Sequence, residues 1–302
     1  MSADFTLRQL EYFVAVLDTG SVTQAAKRAS ISQAAASVAI GQLEKALGVE
    51  LFLRTRSRRL VPTAAGEALA ARARRILADA AEVPDLVRSD WDGLAGRVRV
   101  GCTVSISPRL IPRLAREVLA RWPGIDIEVR EGANDELQRA VANGEADVAF
   151  VFGRQALPDV EAITVVSAHP HILLSADHRL ARSETLRFAE VADEDVILFD
   201  VPPSAEHVTA MFESAGVQPR ARWRSSVGET VREMVANGFG FSVMNVWPGM
   251  VASFAAAGIS AVPIADATPP NSVVATVARG AARPRRVDAV IEAAQAVASR
   301  PS

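Results

Sequence analysis

Two polar side chains near the N-terminus have the type and spacing to read nucleic-acid bases. Gln33 and Ser37 lie four residues apart, so they would share one face of a helix. The apolar positions that would form the opposite face are Ala36, Ile40, Leu43 and Leu47. Amide and hydroxyl groups hydrogen-bond the edges of bases in the major groove of DNA. The pattern therefore predicts a helix whose outer face contacts bases.

A group of arginines follows this helix. Arg54, Arg56 and Arg58 lie between short apolar runs at 51–53 and 60–61, a pattern typical of a β-hairpin. Guanidinium groups bind phosphates, and such contacts position a protein on DNA without reading its sequence. The hairpin is therefore predicted to be a basic wing that lies along the phosphate backbone.

The distribution of charge separates this segment from the rest of the chain. Residues 1–75 carry 11 Lys and Arg against 6 Asp and Glu, a net charge of +5. The whole chain carries −2, so the remainder carries −7. A basic head on an acidic body indicates that only the head meets nucleic acid.

The residues that usually carry catalysis are sparse and poorly placed. His169 and His171 have no Cys, Asp or Glu nearby at metal-ligand spacing, and both lysines, Lys27 and Lys45, lie in the head. No nucleophile elbow, phosphate loop or dinucleotide fingerprint occurs. We therefore predict no enzyme activity, no metal and no cofactor. The single cysteine, Cys102, fits a reducing compartment and could serve in packing or as a sensor thiol.

Cap residues divide the N-terminal segment into three helices. Thr6 and Gln9 form a capping box, as do Ser21 and Gln24, and Ser32 precedes the third helix. The second and third helices predict a helix-turn-helix over about 22–41. A helix pair that serves only for packing is the alternative interpretation.

The segment from Leu7 to Gly66 resembles the N-terminal domain of LysR-type transcriptional regulators in the order and spacing of its residues. The matching motifs are Gly20-Ser21, Ala25-Ala26, Ser32-Gln33 with Ser37, Leu43-Glu44, Leu47-Gly48, Leu51-Phe52, Arg54, and Thr63 with Gly66. The resemblance implies that Gln33 and Ser37 contact bases and that Arg54 and Thr63 contact the DNA backbone. Ala34, the second residue of the recognition helix, stands where the family usually has proline. This difference should alter the local stiffness of the backbone rather than the entry of the helix into the groove.

A long helix is predicted from Thr63 to about Ser89. Apolar residues repeat along it in alternating steps of four and three, as in a coiled coil, at Leu69, Ala73, Ile76, Ala80, Val83 and Val87. This seam predicts a dimer, antiparallel by resemblance, that places two recognition helices on successive turns of DNA. Packing of the seam on the chain's own body is the alternative. Because proline lacks an N–H, Pro84 predicts that the helix bends or stops near Glu82.

Beyond a glycine-containing hinge at 90–96, short apolar runs alternate with helical stretches, which indicates a parallel α/β architecture. The predicted strands are at 98–100, 125–129, 147–152, 172–175, 196–199, 221–225, 241–244 and 273–278. The last strand and a helix at 287–298 have no partners nearby in sequence, so they should return to the first lobe. This body resembles the LysR effector-binding domain, which is itself similar to two-lobed periplasmic binding proteins.

Polar residues follow several of these strands, at the edge where ligands bind in open α/β sheets. Pattern and resemblance together predict an effector site formed by Thr103, Ser105, Asn134, Phe152, Pro202, Ser204, Ser226 and Asn245. Hydroxyl groups and free amides at helix N-termini suit an anion such as a carboxylate. An ordinary cap or turn role is the alternative for each residue taken alone.

These features predict a two-part protein. The parts are an all-α winged helix-turn-helix domain at 1–63, a linker and dimerisation helix at 64–89, the hinge at 90–96, and a two-lobed α/β effector domain at 97–302, with lobe 1 at 97–165 and 268–298 and lobe 2 at 166–267. The predicted function is a LysR-type regulator that binds double-stranded DNA, senses a small anionic metabolite and controls neighbouring genes. It would act as a homodimer and, by resemblance, as a homotetramer.

The sequence shows no signal peptide and no long apolar span, so we expect a cytoplasmic protein without a membrane partner. Two other functions fit parts of the sequence. One is a ligand-independent architectural DNA-binding protein, which would leave the body without an effector. The other is a solute-binding protein fused to a helical adaptor, which would not bind DNA.

Overall fold

The computed structural model describes residues 4–54, 60–88, 94–280 and 283–300. Within these ranges the chain forms a helical head, one long helix and a two-lobed α/β body. The head and the body have separate hydrophobic cores. None of the described helices is both long enough and apolar enough to cross a membrane.

The head contains three helices and a two-stranded wing. The helices are α1 (Leu7–Thr19), α2 (Val22–Arg28) and α3 (Gln33–Leu47), and the wing strands are β1 (Phe52–Arg54) and β2 (Leu60–Pro62). The two strands pair antiparallel. The helix-turn-helix and the wing predicted from the sequence are therefore confirmed.

The predicted caps determine where these helices begin and end. Thr6 and Gln9 form a complete capping box, in which each side chain accepts a hydrogen bond from the other residue's backbone N–H. The hydroxyls of Ser21 and Ser32 each accept a hydrogen bond from the backbone N–H three residues further on. Gly20 ends α1 with a φ of 63°, in the left-handed region that glycine adopts without steric penalty. Local sequence thus sets the turns between the helices.

The head core ties α3 to the wing. Its buried side chains in the helices and the wing are Leu10, Phe13, Val16, Ala25, Ile40, Leu43, Leu51 and Phe52. The Glu44 carboxylate of α3 accepts hydrogen bonds from the backbone N–H groups of Leu51, at 2.8 Å, and Phe52, at 3.4 Å. One side chain therefore fixes the direction in which the wing leaves α3.

The long helix α4 (Ala64–Arg88) differs from the prediction made at Pro84. It does not end near Glu82 but continues through Pro84 to Arg88, so the predicted stop is wrong, whereas the bend given as the other outcome stays a prediction. Proline removes a single backbone hydrogen bond, the one to the carbonyl of residue 80. The preceding segment at 78–81 is rich in alanine, the strongest helix former, and the remaining hydrogen bonds carry the helix past the proline.

The predicted seam along α4 divides into two parts. Ala73 is fully buried and Leu69 half-buried in the head core, where α4 packs against α1. The assignment of Ala73 to a dimer interface is therefore corrected, because a side chain without exposed surface cannot contact a second chain. Ile76 and Val83 are 39% and 53% exposed, and Ala80 between them is partly exposed. The exposed part of the seam thus runs from Ile76 to Val83, and the side chain of Val87 lies outside the described residues.

The body alternates strands and helices along the chain. Its first part contains β3 (Gly96–Thr103), α5 (Ser107–Arg121), β4 (Ile125–Gly132), α6 (Asn134–Ala142), β5 (Val148–Phe152), β6 (Val160–Val166), β7 (His169–Ser175) and β8 (Asp195–Phe199). Its second part contains α7 (Ser204–Ser214), β9 (Arg220–Ser225), α8 (Gly228–Ala236), β10 (Ser242–Val246), α9 (Val251–Ala256), β11 (Ile259–Pro263), β12 (Val273–Ala278) and α10 (Arg285–Ser299). These elements form two lobes with separate sheets.

The sheet of lobe 1 has five strands in the order β4-β3-β5-β12-β6. β3 runs parallel to β4 and β5, whereas β12 runs antiparallel to β5 and β6. The following helix, α10, packs against α5. The predicted return of the last strand and helix to the first lobe is therefore confirmed, whereas β6 has no counterpart among the predicted strands.

Lobe 2 combines an antiparallel sheet of order β10-β7-β11 with the parallel pair β8-β9. A backbone bridge between Val196 and Phe241 joins β8 to the segment before β10. The chain passes between the lobes twice, at 167–168 and at 264–272. As a result, the first turns of α5, α7 and α8 meet at one cavity between the lobes.

Replacing Glu44 with alanine tests the attachment of the wing. The Glu44→Ala variant leaves two backbone N–H groups without their acceptor, so we expect it to lower the free energy of unfolding by about 1–3 kcal/mol. Urea unfolding followed by circular dichroism measures the change. Glu11→Ala, an exposed position on α1, is the control, and equal losses in the two variants would contradict this role of Glu44.

Candidate functional site

The face of α3 that is predicted to read DNA is exposed on the head. Gln33, Ala34 and Ser37 are all exposed at its N-terminal end, and Ser32 caps the same turn. The buried residues of α3 are Ala36, Ala39, Ile40 and Leu43. At this N-terminal end the exposed residues are uncharged, so they can approach base edges closely, and Gln33 offers both a donor and an acceptor.

Of the three arginines predicted for the wing, only the backbone of Arg54 lies within the described residues. The backbone of Arg54 ends β1 and pairs with Leu60. The side chain of Arg54 and the whole of Arg56 and Arg58 lie outside the described residues. Their contacts with phosphate groups therefore stay a prediction.

Thr63 joins the segment before the wing to the start of α4. Its hydroxyl donates a hydrogen bond to the carbonyl of Glu50, at 2.8 Å, and accepts one from the backbone N–H of Gly66, at 3.0 Å. The second bond caps the start of α4. The two bonds give Thr63 a structural role at the start of α4, and its contact with the DNA backbone stays a prediction.

A cavity of 440 Å³ lies between the two lobes. Most of the residues predicted for the effector site line it, namely Ser105, Phe152, Ser204, Ser226 and Asn245. They come from both lobes, in the loop after β3, at the end of β5, at the starts of α7 and α8, and on β10. The volume is in the range of pockets that bind small molecules.

Three predicted residues do not line the cavity but two of them support its wall. Asn134 accepts a hydrogen bond from the backbone N–H of Phe152, at 3.2 Å, and donates one to the Gln155 side chain, at 2.6 Å. The buried Thr103 hydroxyl lies 3.4 Å from the Asn134 carbonyl oxygen. Thr103 and Asn134 thus hold residues that face the cavity, whereas Pro202 is not among its lining residues.

The cavity is lined by two arginines that were not predicted from the sequence. Arg109 lies in the first turn of α5, in lobe 1, and Arg232 lies on α8, in lobe 2. Arginine is rarely buried, so an arginine within a helix is normally interpreted as exposed. A signal was nevertheless available, because Arg232 precedes the buried Val235 by three residues and so shares its face.

Both arginines lie close to one carboxylate. The Glu229 Oε2 atom is 3.6 Å from Arg109 Nη2 and 3.5 Å from Arg232 Nη1. Arg232 is buried, its Nη2 donates to the Ser253 carbonyl at 3.1 Å, and its guanidinium lies 4.7 Å from the centre of the Phe254 ring. Its Nε and Nη1 atoms have no hydrogen-bond partner among the described residues, and neither has the buried Oδ1 atom of Asn245.

Cys102 is fully buried in the core of lobe 1, at the end of β3. Burial raises the pKa of its thiol well above the ordinary value, and the nearby Glu131 carboxylate raises the pKa further. A hydrogen bond with Ser107 opposes this shift only in part. Since the thiolate is the reactive form, this environment favours packing over thiol sensing.

Comparison with known families matches nearly the whole chain. Residues 7–67 match the family model described as bacterial regulatory helix-turn-helix protein, lysR family. Residues 92–299 match the model described as LysR substrate binding domain. The first match covers the helices and wing of the head, and the second covers both lobes of the body.

Individual relatives agree with these matches. The HTH-type transcriptional regulator CfxR of Cupriavidus necator is 29% identical over 245 residues, which cover 80% of this chain and 76% of CfxR. The crystal structure of a putative LysR family regulator, PA01 protein of Pseudomonas aeruginosa, is 29% identical and has a TM-score of 0.61, covering 97% of this chain and 98% of that one. HinK, a LysR family regulator of Pseudomonas aeruginosa, is 28% identical, with a TM-score of 0.60 and coverage of 97% and 98%.

The environment of Cys102 predicts an unreactive thiol. Because a raised pKa lowers the thiolate fraction at a given pH, Ellman's reagent at about pH 8 should modify the native thiol at least about a hundredfold more slowly than the unfolded one. In guanidinium the single thiol of each chain should react fully. Rapid modification of the native protein, with unchanged circular dichroism, would contradict the buried position.

Proposed function

This chain belongs to the LysR family of DNA-binding transcriptional regulators, and we propose that it senses a small anionic metabolite in the cavity between its lobes. The family consists of regulators rather than enzymes. We infer that occupancy of the cavity controls transcription of neighbouring genes, and that the protein acts in the cytoplasm, where the DNA lies. The observation that carries the proposal is the pair of arginines, Arg109 and Arg232, in a mainly apolar cavity.

The exposed face of α3 supports the proposed mode of DNA binding. Gln33 and Ser37 lie one helical turn apart with exposed side chains, so both can reach base edges from a helix in the major groove. Arg54, Arg56 and Arg58 are proposed to bind phosphates beside it. The net charge of +5 on residues 1–75 favours this head over the acidic body as the DNA-binding part.

The exposed apolar residues of α4 support self-association. Ile76, Ala80 and Val83 follow each other at steps of four and three on one face of the helix, and all three retain exposed surface. We propose that this stripe pairs with the same stripe of a second chain, which would place two copies of α3 on successive turns of DNA. A homotetramer of two such dimers is proposed by family resemblance.

The charges of the cavity favour an anionic ligand. Two guanidinium groups and one carboxylate, Glu229, leave one positive charge in excess. The first turn of α8 adds backbone N–H groups that point out of the helix, and these groups also attract anions. A carboxylate that enters the cavity would therefore meet charge and hydrogen-bond donors from both lobes.

A ligand held by both lobes can shift the equilibrium between open and closed arrangements of the body. Arg109 belongs to lobe 1 and Arg232 to lobe 2, so an anion that binds both favours the arrangement in which they are close. Such a shift would change the geometry of the oligomer and the bend of the bound DNA. An architectural DNA-binding protein without a ligand has no need of a buried, incompletely paired arginine.

Alanine substitutions on α3 test the proposed base readout. We expect Gln33→Ala to weaken binding to the operator by about 1–3 kcal/mol and to relax specificity at one base pair, since base contacts are lost while phosphate contacts are kept. Gel shifts on duplexes from the region upstream of the neighbouring gene measure both effects. Gln218→Ala, an exposed position in lobe 2, is the control. Unchanged specificity in Gln33→Ala would exclude Gln33 from base reading.

A thermal-shift screen of the full chain tests the proposed ligand charge. A ligand at a hundredfold excess over its Kd stabilises the folded state by about 2.7 kcal/mol, which should raise the Tm by several degrees. We expect stabilising compounds to be anions, and we expect those compounds to alter the footprint on the operator. If only cations or neutral apolar compounds raise the Tm, the proposed ligand class is wrong.

A further inference from the structure

We propose that Glu229 occupies the place of the ligand's own carboxylate, and that the ligand is a hydrophobic monocarboxylate which displaces it. This inference rests on the proposed function, because it names the ligand class of the same cavity. It adds that Glu229, on α8, competes with the ligand for the two arginines and so influences the affinity for the ligand. Before the ligand binds, Glu229 also contributes to the contact between the lobes.

The position of Glu229 marks where an anionic oxygen belongs. A single atom, its Oε2, is shared by Arg109 at 3.6 Å and by Arg232 at 3.5 Å. Both distances are longer than those of charge-assisted hydrogen bonds, which are about 2.7–2.9 Å. The two guanidinium groups thus converge on one point, but the carboxylate that reaches this point from their own protein fits it poorly.

The three side chains differ sharply in exposure. The side chains of Arg109 and Arg232 are 17% and 7% exposed, whereas that of Glu229 is 60% exposed. If Glu229 swings out, water replaces the partners of its carboxylate at little cost. The buried guanidinium groups have no such replacement, and Arg232 already has two nitrogen atoms without a hydrogen-bond partner among the described residues. Exchange of Glu229 for a ligand carboxylate is therefore favoured by the arginines and barely opposed by Glu229.

The arginines are held in place independently of Glu229. Arg232 donates to the Ser253 carbonyl, at 3.1 Å, and Arg109 Nε donates to the Ser253 hydroxyl, at 3.4 Å. That hydroxyl in turn donates to the carbonyl of Met250, at 2.8 Å. One serine of α9 thus orients a guanidinium group from each lobe, so the site would keep its shape when Glu229 leaves.

The remaining walls indicate the rest of the ligand. They are mainly apolar, with the large side chains Phe152, Phe199, Met211, Met244, Trp247 and Phe254. Such walls favour an aromatic or branched aliphatic body and disfavour a second charged group, which they could not pair. A hydrophobic monocarboxylate satisfies this condition, whereas a dicarboxylate or a sugar phosphate does not.

Displacement of Glu229 changes the contact between the lobes. In the present arrangement Glu229 of lobe 2 pairs with Arg109 of lobe 1, so it adds to the contact between the lobes that Arg109 also makes with Ser253. A ligand carboxylate would take over this bridge and add contacts to the apolar walls of both lobes. The free energy of the contact between the lobes therefore depends on whether Glu229 or the ligand supplies the carboxylate between the two arginines.

Calorimetry on the full-length protein tests the ligand class with three probes. They are 3-phenylpropionate, its neutral isostere 3-phenylpropionamide, and the dianion succinate. We expect 3-phenylpropionate to bind, and the amide and succinate to bind at least about tenfold more weakly, because the first lacks the charge and the second lacks the apolar body. Arg109→Gln should weaken binding of 3-phenylpropionate by at least about tenfold.

Two matched variants of α8 test the role of Glu229. Glu229→Gln removes the competing charge, so we expect it to tighten binding of 3-phenylpropionate by about fivefold. Glu233→Gln changes an exposed glutamate one turn further along the same helix and should leave the affinity unchanged. Both positions are exposed, so loss of folding does not confuse the comparison.

The possible outcomes separate this inference from the proposed function. If succinate or inorganic phosphate binds more tightly than 3-phenylpropionate, the ligand is anionic but the hydrophobic class is wrong. If Glu229→Gln weakens binding or leaves it unchanged, Glu229 is not a competitor and the inference is overturned. If none of the anions binds while operator binding persists, the proposal of an anion-sensing cavity fails as well.

Discussion

A buried guanidinium group needs an anion, and this requirement organises the body of the protein. The Arg232 side chain is almost completely buried. The Ser253 carbonyl and the Phe254 ring interact with only part of its guanidinium group. A charge in such surroundings is stable only when it is paired. Because the available partner, Glu229, is itself largely exposed and at a long distance, the cavity is suited to an anion from outside. The two-lobed fold supplies the second arginine from the opposite lobe.

The long helix α4 connects this body to the head. Arg74 of α4 pairs with Asp18 of α1 and, at 3.5 Å, with Glu145 in the turn after α6. Gly144 of that turn approaches the backbone of Arg75 so closely that a Cβ atom would lie 3.1 Å from its Cα. Its φ of 71° also favours glycine. Lobe 1 and the head therefore contact neighbouring residues of one helix, and a rearrangement of the lobes has a short physical path to α3.

Sequence reasoning succeeded where local interactions decide the structure and was wrong where tertiary contacts decide it. The caps at Thr6, Ser21 and Ser32 act over three residues, so the head could be predicted closely. The loss of a backbone hydrogen bond at Pro84 is also a local effect, but the remaining hydrogen bonds of α4 outweigh its cost. The seam pattern could not show that Ala73 packs on α1, and polarity alone could not show that Thr103 and Asn134 support the cavity rather than line it. Arg109 was missed because its partners, Glu229 and Ser253, are distant in sequence, and Arg232 was missed because an arginine within a helix is rarely buried.

In the proposed mechanism, a carboxylate bound between the arginines changes how the head engages DNA. The bend angle of the operator, measured by energy transfer between dyes at its ends during titration with 3-phenylpropionate, reports this change. We expect a saturable change in bend angle with the full-length protein and no change with the Arg109→Gln variant at the same concentrations. A bend angle that stays constant in the wild type, or that changes equally in the variant, would contradict it.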